Sequence, residues 1–187
     1  MIFTPLPLEG AFLIGLERIG DERGFFARAW CAQAFAEHRL DAALSQCNIS
    51  FNARRGTLRG LHWQAAPHQE TKLVRCTRGA VWDVIVDLRP ASPTFRRWHA
   101  VELDQGNQLA LYIPHGFAHG FLTLADESEL FYHMSVPYHP ECSRGARWDD
   151  PAFAISWPHG APLLSPRDAN HPAFDPSLPP LAGSRSP

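Results

Sequence analysis

The stretch IPHGFAHGF, residues 113–121, decides the fold. Pro114 and Gly116 break an apolar run, and His119 follows in the run that resumes, at the spacing P-x-G-x-x-H. Proline and glycine together mark a turn. Outward from it the chain is built of similar short pieces: FLIGLERI, GFFARAW, SQCNISF, GTLRGLHW, TKLVRCT, AVWDVIVDL, RRWHAVEL, QLALYIP, AHGFLTL and ELFYHMS. Gly, Pro, Asn or Asp clusters separate them at intervals of about ten residues, the spacing of an all-β sandwich or barrel. Only CAQAFAEHRL, Cys31 to Leu40, reads as a helix, with Phe35 and Leu40 among good helix formers.

The chain has 187 residues, 45% of them hydrophobic, enough for one domain with a substantial core and too few for two. Residues 1–172 form that expected domain, and 173–187, rich in Pro and Ser, an expected loose tail. There is no internal repeat. Net charge is -2 with the basic residues scattered, which leaves no footprint for nucleic acid or an anionic membrane. Cys31, Cys47, Cys76 and Cys142 form no CxxC pair and read as reduced thiols of a cytoplasmic protein. The start, MIFTPLPLEGAF, lacks a basic region followed by a continuous apolar one, and no apolar run of about eighteen residues occurs.

Of the 17 basic residues, the only lysine is Lys72. In TKLVRCT, Lys72, Val74 and Cys76 alternate onto one face, apolar and inward, with Leu73 and Arg75 on the other. A lysine buried there without a carboxylate partner would have a lowered pKa and would suit a proton donor or oxyanion stabiliser; the plainer alternative is a lysine snorkelling past a barrel rim. GTLRGLHWQ, residues 56–64, raises a geometric question. Arg59 and His62 are three apart, so a regular strand would point them to opposite faces. If both line one pocket, the strand is irregular, and Gly60 is the expected place for a bulge.

IPHGFAHGF resembles the second signature of the cupin superfamily, whose turn projects a histidine into a jelly-roll barrel. The first cupin signature, G-x5-H-x-H followed by Glu, is matched by Gly56 and His62, but Gln64 stands at the second histidine and no Glu follows at the expected distance. Two imidazoles are a poor set for Zn or Fe. The resemblance therefore implies a cupin-type jelly-roll barrel, a double-stranded β-helix, that uses no metal and no cofactor. His62 becomes a candidate acid/base, alongside the plain reading of a hydrogen-bonded core histidine.

DERGFF, SQCNISF, GTLRGLHWQ, TKLVRCTRGAVWDVIVDLRPASPTF, IPHGFAHGF, RGARWDDP and LLSPRDANHP follow in order over about residues 20–172. Together they resemble the dTDP-4-dehydrorhamnose 3,5-epimerase family of deoxysugar-nucleotide enzymes. The resemblance implies proton removal at C3 and C5 of a 4-keto-6-deoxyhexose, both α to the C4 carbonyl, through enolates with charge on O4. It implies His62 as base with Asp168 orienting it, Lys72 at the enolate oxygen, and Tyr132 as acid from the other face. Arg59 and His119 would complete the pocket near the diphosphate and keto oxygen. Arg23 is assigned to phosphate, Gln46 and Asn48 to the nucleotide, and Phe26 and Tyr138 to the base. It also implies a homodimer in which an N-terminal segment completes the partner's site.

Two positions depart from the family pattern. Arg28 replaces the Glu of D-x-R-G-x-F-x-E, and His133 replaces the Lys that commonly follows the tyrosine. Both bear on the nucleotide rather than on the proton chemistry. Three other readings are a C3-only mono-epimerase, a metal-dependent cupin using His62 and His119, and a non-catalytic sugar-nucleotide binding module.

Overall fold

In the computed structural model, which describes residues 1–158 and 160–175, the apolar runs become strands. They are β1 (Ile2–Pro5), β2 (Phe12–Gly15), β3 (Ile19–Asp21), β4 (Gly24–Phe26), β5 (Gln46–Asn52), β6 (Leu58–Gln64) and β7 (Lys72–Arg78). The second half supplies β8 (Ala80–Asp87), β9 (Trp98–Asp104), β10 (Ala110–Ile113), β11 (Phe117–Thr123), β12 (Ser128–Met134) and β13 (Ser143–Gly145). The helices are α1 (Ala32–Glu37), inside the expected span, and the single turn α2 (Pro166–Ala169). That turn was not among the sequence expectations, although its signal is present: Ser165 Oγ accepts from Asp168 N and Pro166 takes the first helical position.

The strands form a six-stranded sheet in the order β1-β2-β10-β7-β12-β5 and a five-stranded sheet in the order β13-β6-β11-β8-β9, with β3 and β4 as a separate hairpin. Their apolar faces meet as a jelly-roll barrel of the cupin type. Val74, Cys76 and Leu130 of the first sheet pack against Val81, Ile85 and Phe121 of the second. Truncating Leu130, Ile85 or Phe121 to alanine costs about 2–5 kcal/mol. The outer faces are covered too: α1 and the N-terminal strands lie over Leu73 and Tyr112, and the segment carrying Phe153, Trp157 and Phe174 lies over Leu61, Val84 and Val86. Phe174 is therefore part of the packed domain, two residues past the expected boundary, and residues 176–187 of the Pro/Ser-rich end lie outside the described residues.

Lys72, Val74 and Cys76 are all buried, as their alternation requires. The irregularity expected at Gly60 is present. His62 pairs with His119 and Arg59 with Phe121, so three steps along β6 match two along β11. The extra residue is a bulge that turns Arg59 and His62 to the same side. Glycine is needed here twice over. Gly60 has φ +131, and a Cβ on it would stand 2.6 Å from Gly120 Cα across the strand pair.

Candidate active site

A cavity of about 410 Å³ opens at one end of the barrel and is lined by Gln46, Asn48, His62, Lys72, Tyr138 and Arg167, among others. An inner recess of about 240 Å³ shares Asn48, His62 and Lys72 with it and adds Arg59, His119 and Tyr132. The two sheets supply opposite walls. His62 stands on β6 and His119 on β11 of the five-stranded sheet; Lys72 stands on β7, Tyr132 on β12 and Asn48 on β5 of the six-stranded sheet.

His62 Nε2 donates to Asp168 Oδ1 at 2.6 Å, which leaves Nδ1 as the other nitrogen of a ring whose side chain is 38% exposed. Asp168 is held by α2, where its own N–H donates to Ser165 Oγ. Burial alone would raise the Asp168 pKa; hydrogen bonds from His62 and Ser165, with the charges of His62 and His171, outweigh it and hold the carboxyl below its ordinary value.

Lys72 departs from expectation in one respect. It has a carboxylate partner, Glu70, at Nζ–Oε1 3.0 Å, and both side chains are nearly fully buried. Its Nζ also reaches the His62 carbonyl at 3.5 Å. The ammonium is fixed beside the imidazole by a residue that sequence reasoning passed over because Glu70 does not fall at the cupin spacing.

Tyr132 lies with its ring edge-on to His119, centroids 6.0 Å apart. Removal from water, and then the Asp83 carboxylate, push its phenol well above the ordinary value, so it carries its proton. His119 in turn donates from Nε2 to buried Asp83 Oδ1 at 2.8 Å. Arg59 is aimed by its Nε, which donates to Asn52 Oδ1 at 2.7 Å.

At the outer rim, Gln46, Asn48 and Tyr138 join Ser143 and Arg167, two residues that sequence reasoning missed. Arg167 Nη2 donates to Ser143 Oγ at 2.9 Å, and hydrogen bonds from Ser143 and Arg167 lower the Tyr138 pKa. Arg167 neighbours Asp168 in SPRD, and only the fold of α2 reveals that Arg167 lines the cavity while Asp168 stands behind His62. Arg23 and Phe26 do not line either cavity of this chain. Both sit on the β3–β4 hairpin, Arg23 84% exposed and paired with Asp21, Phe26 74% exposed.

The cupin metal positions do not fit an ion. His62 and His119 direct their Nε2 atoms at two different carboxylates rather than at one shared point, Glu70 is tied to Lys72, and the Gln64 amide donates to the carbonyls of His68 and Pro137. Among the described residues, the donor groups close enough to share an ion are His62–Asp168–His171 and His68–His139–Glu141, neither of which includes His119 or Glu70.

The chain matches a family model described as dTDP-4-dehydrorhamnose 3,5-epimerase over residues 5–176. It is 43% identical to the dTDP-4-dehydrorhamnose 3,5-epimerase of Sinorhizobium fredii, covering 93% of this chain and 90% of that one. It is 42% identical to a dTDP-4-dehydrorhamnose 3-epimerase of Streptomyces niveus, covering 90% and 81%. The crystal structure of dTDP-4-dehydrorhamnose 3,5-epimerase from Bacillus anthracis with TDP and PPi bound superimposes with a TM-score of 0.89 at 36% identity, covering 92% of this chain and 99% of that one. With a family match over residues 5–176 and a barrel that superimposes on a solved member, the chain belongs to the dTDP-4-dehydrorhamnose 3,5-epimerase family.

Proposed function

We propose that the protein epimerises C3 and C5 of dTDP-4-dehydro-6-deoxy-D-glucose to give dTDP-4-dehydro-L-rhamnose. The observation that carries the reading is the placement of His62 and Tyr132 on opposite sheets across one recess, with Lys72 beside His62. Inversion at a carbon α to a ketone needs a base on one face, an acid on the other and a cation at the oxygen where charge develops. His62 Nδ1 takes the proton, and Asp168 holds the ring and stabilises the imidazolium. The Lys72 ammonium, fixed by Glu70, faces O4. Tyr132 returns a proton from the other side. Arg59 and His119 close the recess; no step calls for a metal or cofactor.

Gln46, Asn48, Tyr138 and Arg167 at the rim receive the nucleotide diphosphate, arginine suiting a phosphate by its paired donors. Arg23 and Phe26 serve the site of a second subunit in a homodimer. The hairpin that bears them exposes Ile19, Phe25 and Phe26 together, and a two-stranded hairpin is barely stable without cover. The working compartment is the cytoplasm, in keeping with four free cysteines; among the described residues no helix is long and apolar enough to cross a membrane.

Incubation with dTDP-4-dehydro-6-deoxy-D-glucose followed by NMR of the product tests the reading. The L-rhamno configuration is expected; unchanged substrate sinks it. A product inverted only at C3 supports the second reading, a mono-epimerase, which the Streptomyces niveus 3-epimerase relative favours. Competition between dTDP and UDP forms tests the nucleotide, given Arg28 and His133.

A further inference from the structure

Asp168 faces two imidazoles. Its Oδ1 accepts from His62 Nε2 at 2.6 Å and lies 3.5 Å from His171 Nε2. The second contact is not a hydrogen bond. His171 Nε2 is buried with no hydrogen-bond partner, on a side chain 10% exposed. A buried nitrogen left this way is costly, and the fold nevertheless makes room for the ring. A Cβ on Gly145 of β13 would stand 2.3 Å from His171 Cε1, so only glycine fits opposite it. Burial, and then the charge of His62, lower the His171 pKa, so the neutral ring offers a lone pair.

The donor atoms of His62, Asp168 and His171 lie within 4.8 Å of one another. Two imidazole nitrogens and one carboxylate oxygen suit late first-row divalent cations, water taking the remaining position. His62 lines the open cavity and gives the route of entry. We propose that a late first-row divalent cation of the Zn2+ type binds His62 Nε2, Asp168 Oδ1 and His171 Nε2 and switches the dyad off.

Imidazole tautomers explain the switch. In the dyad the one ring proton of neutral His62 sits on Nε2, toward Asp168, and Nδ1 keeps the lone pair that accepts a proton from carbon. A cation on Nε2 requires the lone pair there, so the ring proton moves to Nδ1. Nδ1 then has nothing with which to accept a second proton. The cation takes the place of the dyad's hydrogen bond, and no bond to substrate forms or breaks. The switch rests on the role proposed above for His62; the binding site does not.

Titration of the purified protein with Co2+, whose visible d–d absorption reports nitrogen and oxygen ligation, tests the site without substrate. One Co2+ per chain, displaced by Zn2+, is expected. His171→Asn should weaken binding by at least about tenfold, the loss common even when only an outer partner of a ligand is removed. Gly145→Ala keeps the imidazole but drives a methyl into it, and should weaken binding as well; circular dichroism checks that both variants fold. His139→Ala breaks the other donor group and should leave the affinity unchanged. No Co2+ band, or a band lost in His139→Ala and kept in His171→Asn, overturns the site. With substrate present, saturating Zn2+ should stop solvent deuterium exchange and EDTA should restore it. Exchange that continues at saturating Zn2+ overturns the switch. Protein that exchanges nothing before metal is added counts against the epimerase reading alone, and the Co2+ spectra still judge the site.

Discussion

Two histidine–aspartate pairs stand side by side in this barrel and differ in their exposure. His62 on β6 and His119 on β11 are cross-strand partners, and each gives Nε2 to a carboxylate, Asp168 at 2.6 Å and Asp83 at 2.8 Å. In the first pair His62 lines the cavity, its side chain 38% exposed. In the second pair both side chains are buried, His119 showing only an edge to the inner recess and lying edge-on to Tyr132. Asp83 adds to the burial that keeps the tyrosine protonated. A His–Asp pair is thus no signature of a base by itself; exposure of the second nitrogen decides. On the proposed mechanism one pair backs the base and the other backs the acid.

The sharpest way to break this comparison is to truncate both histidines. His62→Ala should lower deuterium exchange at the sugar by about 10²–10⁴-fold with nucleotide binding nearly intact by calorimetry, and His119→Ala should lose less. Equal losses in two folded variants would erase the distinction. Next, Tyr132→Phe should leave proton removal in place while cutting formation of inverted product by about 10²-fold, read as exchange without epimerisation. Equal loss of both steps would mean that acid and base are not divided between the two sheets.

Stability should rank the pairs the other way. Asp83→Ala strands a buried histidine and should cost about 1–3 kcal/mol, a Tm fall of several degrees; Asp168→Ala should cost less because solvent reaches His62. The smallest effect concerns pH. The Asp168 pKa is lowered in the folded protein from its usual 3.8, so its contribution is complete above that value and is lost as pH falls through the folded pKa. Acid unfolding curves of wild type and Asp168→Asn should be fully separated above about pH 4 and draw together only as pH falls from there through the folded pKa.

The barrel was legible because strand alternation is local: Lys72, Val74 and Cys76 announce their face within five residues. The bulge at Gly60 was legible because two side chains needing one pocket conflict with a period of two. What escaped were contacts made only by the fold. Glu70 pairs with Lys72 from two residues away, off the cupin spacing, and Arg167 and His171 reach the site only because one turn capped by Ser165 brings a distant segment against β6. The hairpin of Arg23 and Phe26, read as part of a site that a partner segment completes, lines neither of these two cavities.

The most direct test of the account is reaction of wild type and His62→Ala with dTDP-4-dehydro-6-deoxy-D-glucose in D2O, counting deuterium at C3 and C5. The account predicts label at both carbons with wild type and at neither with the variant. Inverted product without solvent label, or label undiminished in His62→Ala, would contradict it.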